Sequence, residues 1–163
     1  MRVREVLLSD AERITEIYNY FIDNTEITFE TSPVTSDEMK GRILALTDNG
    51  FPYFVAEDED GTITGYCYAH EWKSRAAYSR TWENTIYLHP EACHQGAGRM
   101  LMERLIDSCR ERGVHRLIAC ITGGNDASIH FHASLGFKEA SHFHEVGYKH
   151  DKWLDVIDME LPL

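Results

Sequence analysis

Gly96 and Gly98 stand two residues apart, just after Tyr87-Leu88-His89-Pro90 and just before Leu101, Met102, Leu105 and Ile106 at helical spacing. A glycine turn in that place presents backbone N–H groups at a helix N-terminus, where the macrodipole adds positive potential. Without a Cβ, the turn lets a phosphate come close to the backbone. The run Cys93-His94-Gln95-Gly96-Ala97-Gly98 is therefore a candidate anion cradle. A lone G-x-G also serves ordinary strand-to-helix turns, so the reading needs support from elsewhere. A second segment supplies it. After a predicted strand over 117–121, Gly123-Gly124-Asn125-Asp126-Ala127-Ser128 opens a short helix ending in Leu135-Gly136-Phe137.

The nine histidines include two i, i+2 pairs, His130 with His132 and His142 with His144. Such a pair diverges on a helix and shares a face on a strand, so only the second pair could chelate. No nearby Cys or carboxylate completes a recognised zinc spacing in the sequence, and no metal is expected. The four cysteines, Cys67, Cys93, Cys109 and Cys120, show no C-x-x-C spacing and read as reduced thiols. A thiol nucleophile at Cys93 or Cys120 is a minor alternative.

The elements that must position these groups follow from periodicity and turn chemistry. A strand is predicted over 3–7. A helix capped by Ser9 or Asp10 carries Ile14, Ile17, Tyr18 and Phe21 on one face and ends at Asn24-Thr25-Glu26. A short extended piece follows at 27–31. Ser36, Met39, Ile43, Leu44 and Leu46 outline a second helix that closes near Asn49-Gly50. Strands at 51–57 and 62–72 form a hairpin over Asp58-Glu59-Asp60-Gly61. A strand at 81–88 precedes the glycine turn. A helix from about 98 to 112, stopped by Gly113, precedes the 117–121 strand. A helix over 125–135 and strands over 137–143 and 153–159 complete the chain. Strands separated by helices give a mixed α/β sheet.

The 163 residues are expected to form one domain, 1–163, with a substantial core. A net charge of −11 argues against nucleic acid and against an anionic membrane surface as partner. No apolar run approaches the ~18 residues of a membrane span, and a cytoplasmic protein is expected.

The two glycine-rich segments together resemble the GNAT superfamily of N-acetyltransferases. In that family a Gln/Arg-x-x-Gly-x-Gly/Ala turn binds the pyrophosphate of acetyl-CoA. An Asn opening a later helix, followed by a Leu-Gly-Phe helix end, forms the other side of the cofactor cleft. This chain departs at the first motif position, where Cys93 stands for Gln or Arg. Trp72-Lys73-Ser74-Arg75-Ala76-Ala77-Tyr78, Trp82-Glu83-Asn84-Thr85-Ile86-Tyr87 and Gly147-Tyr148-Lys149-His150-Asp151-Lys152-Trp153 look like the phosphinothricin and methionine sulfone (sulfoximine) acetyltransferase group. The resemblance runs from Val3 to about Leu161.

The resemblance implies the GNAT fold: a central, mostly antiparallel sheet flanked by helices and splayed after Leu88 to admit acetyl-CoA. It implies cofactor contacts at Ile86, Tyr87, Leu88, Cys93, His94, Gln95, Gly96, Ala97, Gly98, Asn125 and Ser128. Amine acetylation needs a base for the ammonium, a donor for the oxygen of the carbonyl under attack, and an acid for the leaving thiolate. Glu83 is the candidate base, and His132 the candidate acid or partner base. The backbone N–H of Tyr87 or Leu88 is the candidate donor, with the Tyr87 side chain lining the acetyl pocket or the core. Trp72, Arg75, Tyr78, Glu83, Asn84 and Thr85 are the candidate substrate residues. A guanidinium at Arg75 would hold an α-carboxylate in a bidentate fork. The implied reaction acetylates the α-amine of a small molecule resembling phosphinothricin or methionine sulfone. The alternatives are another amine, such as a polyamine or a protein N-terminus, or a non-catalytic acetyl-CoA sensor. A homodimer is also implied, with Phe29, Tyr78 and Trp82 as exposed-aromatic candidates.

Overall fold

In the computed structural model, which describes residues 1–93 and 96–163, one sheet of seven strands organises the chain. Its order is β1 (Arg2–Glu5), β2 (Tyr53–Glu57), β3 (Ile63–Glu71), β4 (Thr81–Leu88), β5 (Arg116–Thr122), β7 (Lys152–Pro162) and β6 (Lys138–Lys149). Every neighbouring pair is antiparallel except β4 and β5. The expected mixed, mostly antiparallel α/β architecture is the observed one.

Helices cover both faces. On one face, α1 (Ala11–Asn24) and α2 (Ser36–Thr47) bury Ile14, Ile17, Ile22, Met39 and Ile43 against Tyr53, Val55 and Tyr66. A capping box starts α2: Thr35 Oγ1 accepts from Glu38 N–H at 3.1 Å, and the Glu38 carboxylate accepts from Thr35 N–H at 2.6 Å. On the other face, α3 (Ala97–Glu111) sets Leu101, Met102, Leu105 and Cys109 against Phe54, Cys67, Leu117 and Met159. The short α4 (Asp126–Ser134) follows β5. The apolar positions read from the sequence on α1 and α3 are buried or half-buried, whereas on α2 Met39 and Ile43 are buried and Leu44 is exposed.

Three expectations change. The piece at 27–31 joins no ladder among the described residues. Side chains pin it instead: Thr122 Oγ1 donates to Glu26 O and Ile27 O at 3.1 and 3.0 Å, and Lys149 Nζ donates to Thr28 O at 2.9 Å. Second, β6 does not stop at Phe143 but passes through a bulge between Phe143 and Gly147 and runs on to Lys149. Third, β7 begins at once, across a two-residue turn in which His150 (φ 49°) and Asp151 (φ 59°) are left-handed. Such turns usually announce themselves by Asn-Gly or Gly-Gly, and this one carries no glycine.

Candidate active site

The site begins where the sheet comes apart. β4 pairs with β3 along its whole length to Leu88, but with β5 only from Thr81↔Arg116 to Asn84↔Ala119. Beyond Asn84, β5 continues to Thr122 on β7 and β4 continues on β3, leaving an opening between them. His89 N–H donates to Thr64 O at 2.8 Å across the β3 side. Strand alternation therefore turns Thr85 and Tyr87 main-chain groups toward β3, and those of Ile86 and Leu88 into the opening. Of the two backbone donors expected from sequence, Leu88 is available and Tyr87 is not, because its N–H belongs to the β3 ladder.

The N-terminus of α3 starts below the end of β4. Gly96 adopts φ 87° as the N-cap, a conformation that costs an L side chain about 1–2 kcal/mol. Met100 N–H bonds back to Gly96 O, so the N–H groups of Ala97, Gly98 and Arg99 lie ahead of the first intrahelical bond. Gly98 has a different reason to be glycine: a Cβ there would lie 3.2 Å from Leu88 Cδ1 and 3.4 Å from the Phe131 ring. It keeps α3 close to the Leu88 wall. Cys93 is exposed, with its thiol 3.8 Å from His89 O. His94 and Gln95 lie outside the described residues.

Across the opening, Asn125 caps α4 by accepting from Ser128 N–H at 3.3 Å. One turn later comes His132, 2% exposed. Its Nδ1 lies 2.9 Å from Ser128 O, which only accepts, so Nδ1 carries the proton. Its Nε2 accepts from Asn84 Nδ2 at 3.1 Å. Burial lowers the imidazole pKa, offset in part by the Ser128 carbonyl. A neutral ring with both nitrogens engaged offers no proton to a thiolate, which corrects the acid role expected of His132.

Asn84 is corrected with it. Trp82, Asn84, Ile86 and Leu88 face α3 and α4, whereas Glu83, Thr85 and Tyr87 face the α1 side. Asn84 is buried between His132 and Met102 and orients the histidine; it does not reach the face that carries Glu83. Its Oδ1 is buried without a partner among the described residues.

Glu83 is half-buried. Desolvation raises its pKa above the ordinary carboxylate value; His70, opposite it on β3, pulls it down, and Asp158 pushes it up. Sequence reasoning did not single out His70 or Asp158, and it named Cys120 only as a minor alternative for a thiol nucleophile. They reach this face only through the β3–β4 and β5–β7 registers. The Cys120 thiol donates to Asp158 Oδ1 at 2.8 Å, and burial, that bond and Glu83 all push its pKa up. It is held as a thiol and is no nucleophile. Thr85 stands opposite Tyr68 on β3. The Tyr87 ring packs on Tyr18, Phe21 and Tyr66, and burial drives its pKa well up, so it stays a phenol.

The β3–β4 connection folds at the Glu83 end of the strand, closed by Trp72 N–H to Thr81 O at 3.2 Å. Trp72 and Tyr78 meet edge to face at 5.5 Å, with Lys73 Nζ 4.1 Å above the Trp72 ring. Arg75 stands exposed beside them, without an ion pair among the described residues. Trp82 turns the other way, packing on Phe51 at 4.9 Å and donating to Ser79 O, and is not an exposed aromatic.

A split parallel pair with helix N-termini on its two sides can receive a nucleotide-bearing thioester. The model of the acetyltransferase (GNAT) domain matches residues 3–157. The chain belongs to the GNAT acetyltransferases. It is 39% identical to a phosphinothricin N-acetyltransferase of Alcaligenes faecalis over 99% of this chain and 82% of that protein. It is 37% identical to an L-methionine sulfoximine/L-methionine sulfone acetyltransferase of Salmonella typhimurium, over all of this chain and 95% of that one. A solved GNAT superfamily phosphinothricin acetyltransferase from Sinorhizobium meliloti, in complex with acetyl-CoA, superposes with a TM-score of 0.96 at 39% identity, covering 99% and 88% of the two chains.

The chain is thus an N-acetyltransferase with acetyl-CoA as co-substrate. Its residues fit that group: strand-edge amides at Ile86 and Leu88 and first-turn amides on α3 that have no partner among the described residues, and the Asn84 Oδ1 orphaned among them at the last rung of the ladder.

Proposed function

We propose that this enzyme acetylates the α-amine of a small amino-acid-like substrate of the phosphinothricin and methionine sulfone or sulfoximine class. The observation that carries the reading is Glu83. Its carboxylate, raised in pKa by burial, stands one residue before the last rung of the β4–β5 ladder, on the face away from α3 and α4. Acetyl-CoA supplies the activated acyl group. Glu83 takes the proton from the substrate ammonium, directly or through water, because only the neutral amine attacks. Leu88 N–H donates to the carbonyl oxygen as negative charge builds there; the C–S bond then breaks, and CoA leaves as a thiolate that takes up, directly or through water, the proton the nitrogen sheds as the amide forms. Asn84 and His132 hold the α4 side of the opening in register, and Asn125 with Ser128 shapes the α4 N-terminus.

Arg75 binds the substrate carboxylate, with Trp72 and Tyr78 as the wall beside it and Thr85 on the floor. What supports this is the folded 72–80 connection at the Glu83 end of β4 and a guanidinium without an ion pair there among the described residues. The names of the relatives point to the same class. The proposal also covers a single catalytic unit over 1–163, supported by a sheet that spans Arg2 to Pro162. It covers a homodimer and a cytoplasmic location; no helix among the described residues is long and apolar enough to cross a membrane.

The deciding experiment measures CoA release with phosphinothricin, methionine sulfone, methionine sulfoximine, spermidine and an N-terminal peptide. The expected order places the three amino-acid substrates well above the other two. Preference for spermidine or the peptide overturns the substrate assignment.

A further inference from the structure

Apart from the transfer site, the β6–β7 hairpin assembles a cluster that no catalytic step uses. His142 and His144 share one face of β6, their rings stacked at 4.2 Å with 12° between planes. Asp155 of β7 reaches them across the ladder, its Oδ2 lying 2.8 Å from His142 Nε2. One ligating atom from each of the three side chains fits within a 4.8 Å span. The sequence shows the histidine pair but not this third group, which arrives from eleven residues further on only because the strands fold back on each other.

We propose that His142, His144 and Asp155 form a binding site for a divalent transition-metal ion. Two imidazoles and one carboxylate are the donor set of the borderline ions Zn²⁺, Co²⁺, Ni²⁺ and Cu²⁺; Mg²⁺ and Ca²⁺ prefer all-oxygen sites. An ion about 2.0–2.2 Å from each donor would separate the donors by roughly 3–3.5 Å, which the span accommodates. The carboxylate is held in place: Asp155 Oδ1 accepts from Glu145 N–H at 2.9 Å, while Oδ2 faces His142 Nε2, where the ion would take the place of the shared proton. The bulge after Phe143 sets Glu145 at φ 52°. Behind Asp155, Gly123 N–H donates to its carbonyl at 2.8 Å, and a Cβ on Gly123 would lie 2.8 Å from Asp155 Cβ. The Asp155 backbone is thus held by β5 while Glu145 N–H holds its carboxylate. Both histidines are exposed, so the ion has a path in and further coordination positions remain open to water. Bound there, the ion ties β6 to β7 across the bulge and stabilises the folded chain by mass action.

The test uses tag-free protein stripped with chelator, titrated calorimetrically with NiCl₂ at pH 7.5, and thermal unfolding with and without Ni²⁺. The parent is expected to bind one Ni²⁺ per chain and to unfold at higher temperature with it. His144→Gln and Asp155→Asn should each weaken binding at least about tenfold, since losing even an outer-shell partner costs about that much. Both should abolish the thermal shift. His144 is exposed, so His144→Gln keeps the metal-free unfolding temperature and decides the matter if Asp155→Asn folds poorly. Absence of one-to-one binding in the parent, or equal affinity in parent and His144→Gln, overturns the site.

Discussion

At the residue scale, Glu83 and His132 divide two roles that looked interchangeable. Glu83 is a desolvated carboxylate facing the substrate side, so its base form appears only above a raised pKa. The acid limb of kcat/KM should therefore lie above the ordinary glutamate range near 4.3. Glu83→Gln should remove that limb and lower turnover at neutral pH by about 10²- to 10⁴-fold, with partial recovery at high pH where free amine is abundant. A pH–rate profile that matches the parent's would discard Glu83 as the base. His132 is neutral and hydrogen-bonded on both nitrogens, with a pKa held below its unfolded value near 6.5. The unfolded chain then binds the extra proton, so this histidine's contribution is complete above about pH 6.5 and is lost as pH falls through the folded value. Urea midpoints between pH 7.5 and 5 should fall less steeply in His132→Gln than in the parent. Arg75→Ala should lower kcat/KM for phosphinothricin roughly ten- to a hundredfold, the scale of one charge-assisted contact, and spare an amine with no carboxylate. Equal losses on both substrates would make Arg75 a structural residue.

At the element scale, the decisive feature is a ladder that stops. β4 and β5 share hydrogen bonds to Asn84↔Ala119 and no further, so alternate amides of β4 change neighbours. Amide exchange should report this directly. Ile86 and Leu88 N–H should exchange quickly in the free enzyme and slow on addition of acetyl-CoA, while Thr85 and Tyr87 N–H are slow throughout. Protection of Leu88 without ligand would mean that the opening is closed. The α3 start adds a second check. Gly98→Val would drive a side chain into Leu88 and Phe131 and should weaken acetyl-CoA binding strongly by calorimetry. Cys93→Ala, at an exposed position, should matter little.

At the scale of the whole molecule, apolar surface collects on the β6–β7 edge of the sheet. Phe143, Val146, Tyr148 and Trp153 are exposed there, Trp153 to 64%, with Tyr148 and Trp153 in ring contact at 4.9 Å. Of the aromatics expected from sequence, Phe29 is exposed and lies against Gly147 beside this edge, whereas Trp82 packs against Phe51 and Tyr78 is half-buried, so the edge is the contact surface for the proposed homodimer. Sedimentation at micromolar concentration should give twice 18.8 kDa, and Trp153→Lys should shift the enzyme toward the monomer. A single species at 18.8 kDa in the parent refutes the dimer.

Local signals in the sequence determined the helices, the hairpin over Asp58–Gly61, the β4 strand and the glycine turn, because periodicity and turn chemistry depend on near neighbours. Gly96 stood out by residue type and place along the chain, whereas Glu83 and Arg75 were expectations that came with the resemblance. Tertiary structure alone decided which face each β4 side chain serves. Alternation is visible in sequence, but the face that meets α3 and α4 is chosen by packing, and it moved Asn84 from substrate to His132. It also decided the tautomer of His132, which depends on a carbonyl one helical turn away and an amide 48 residues away. The groups around Glu83 and the third member of the His142–His144 cluster were hidden for the same reason. Each comes from a strand whose register is set by long-range pairing, and no spacing along the chain records that pairing.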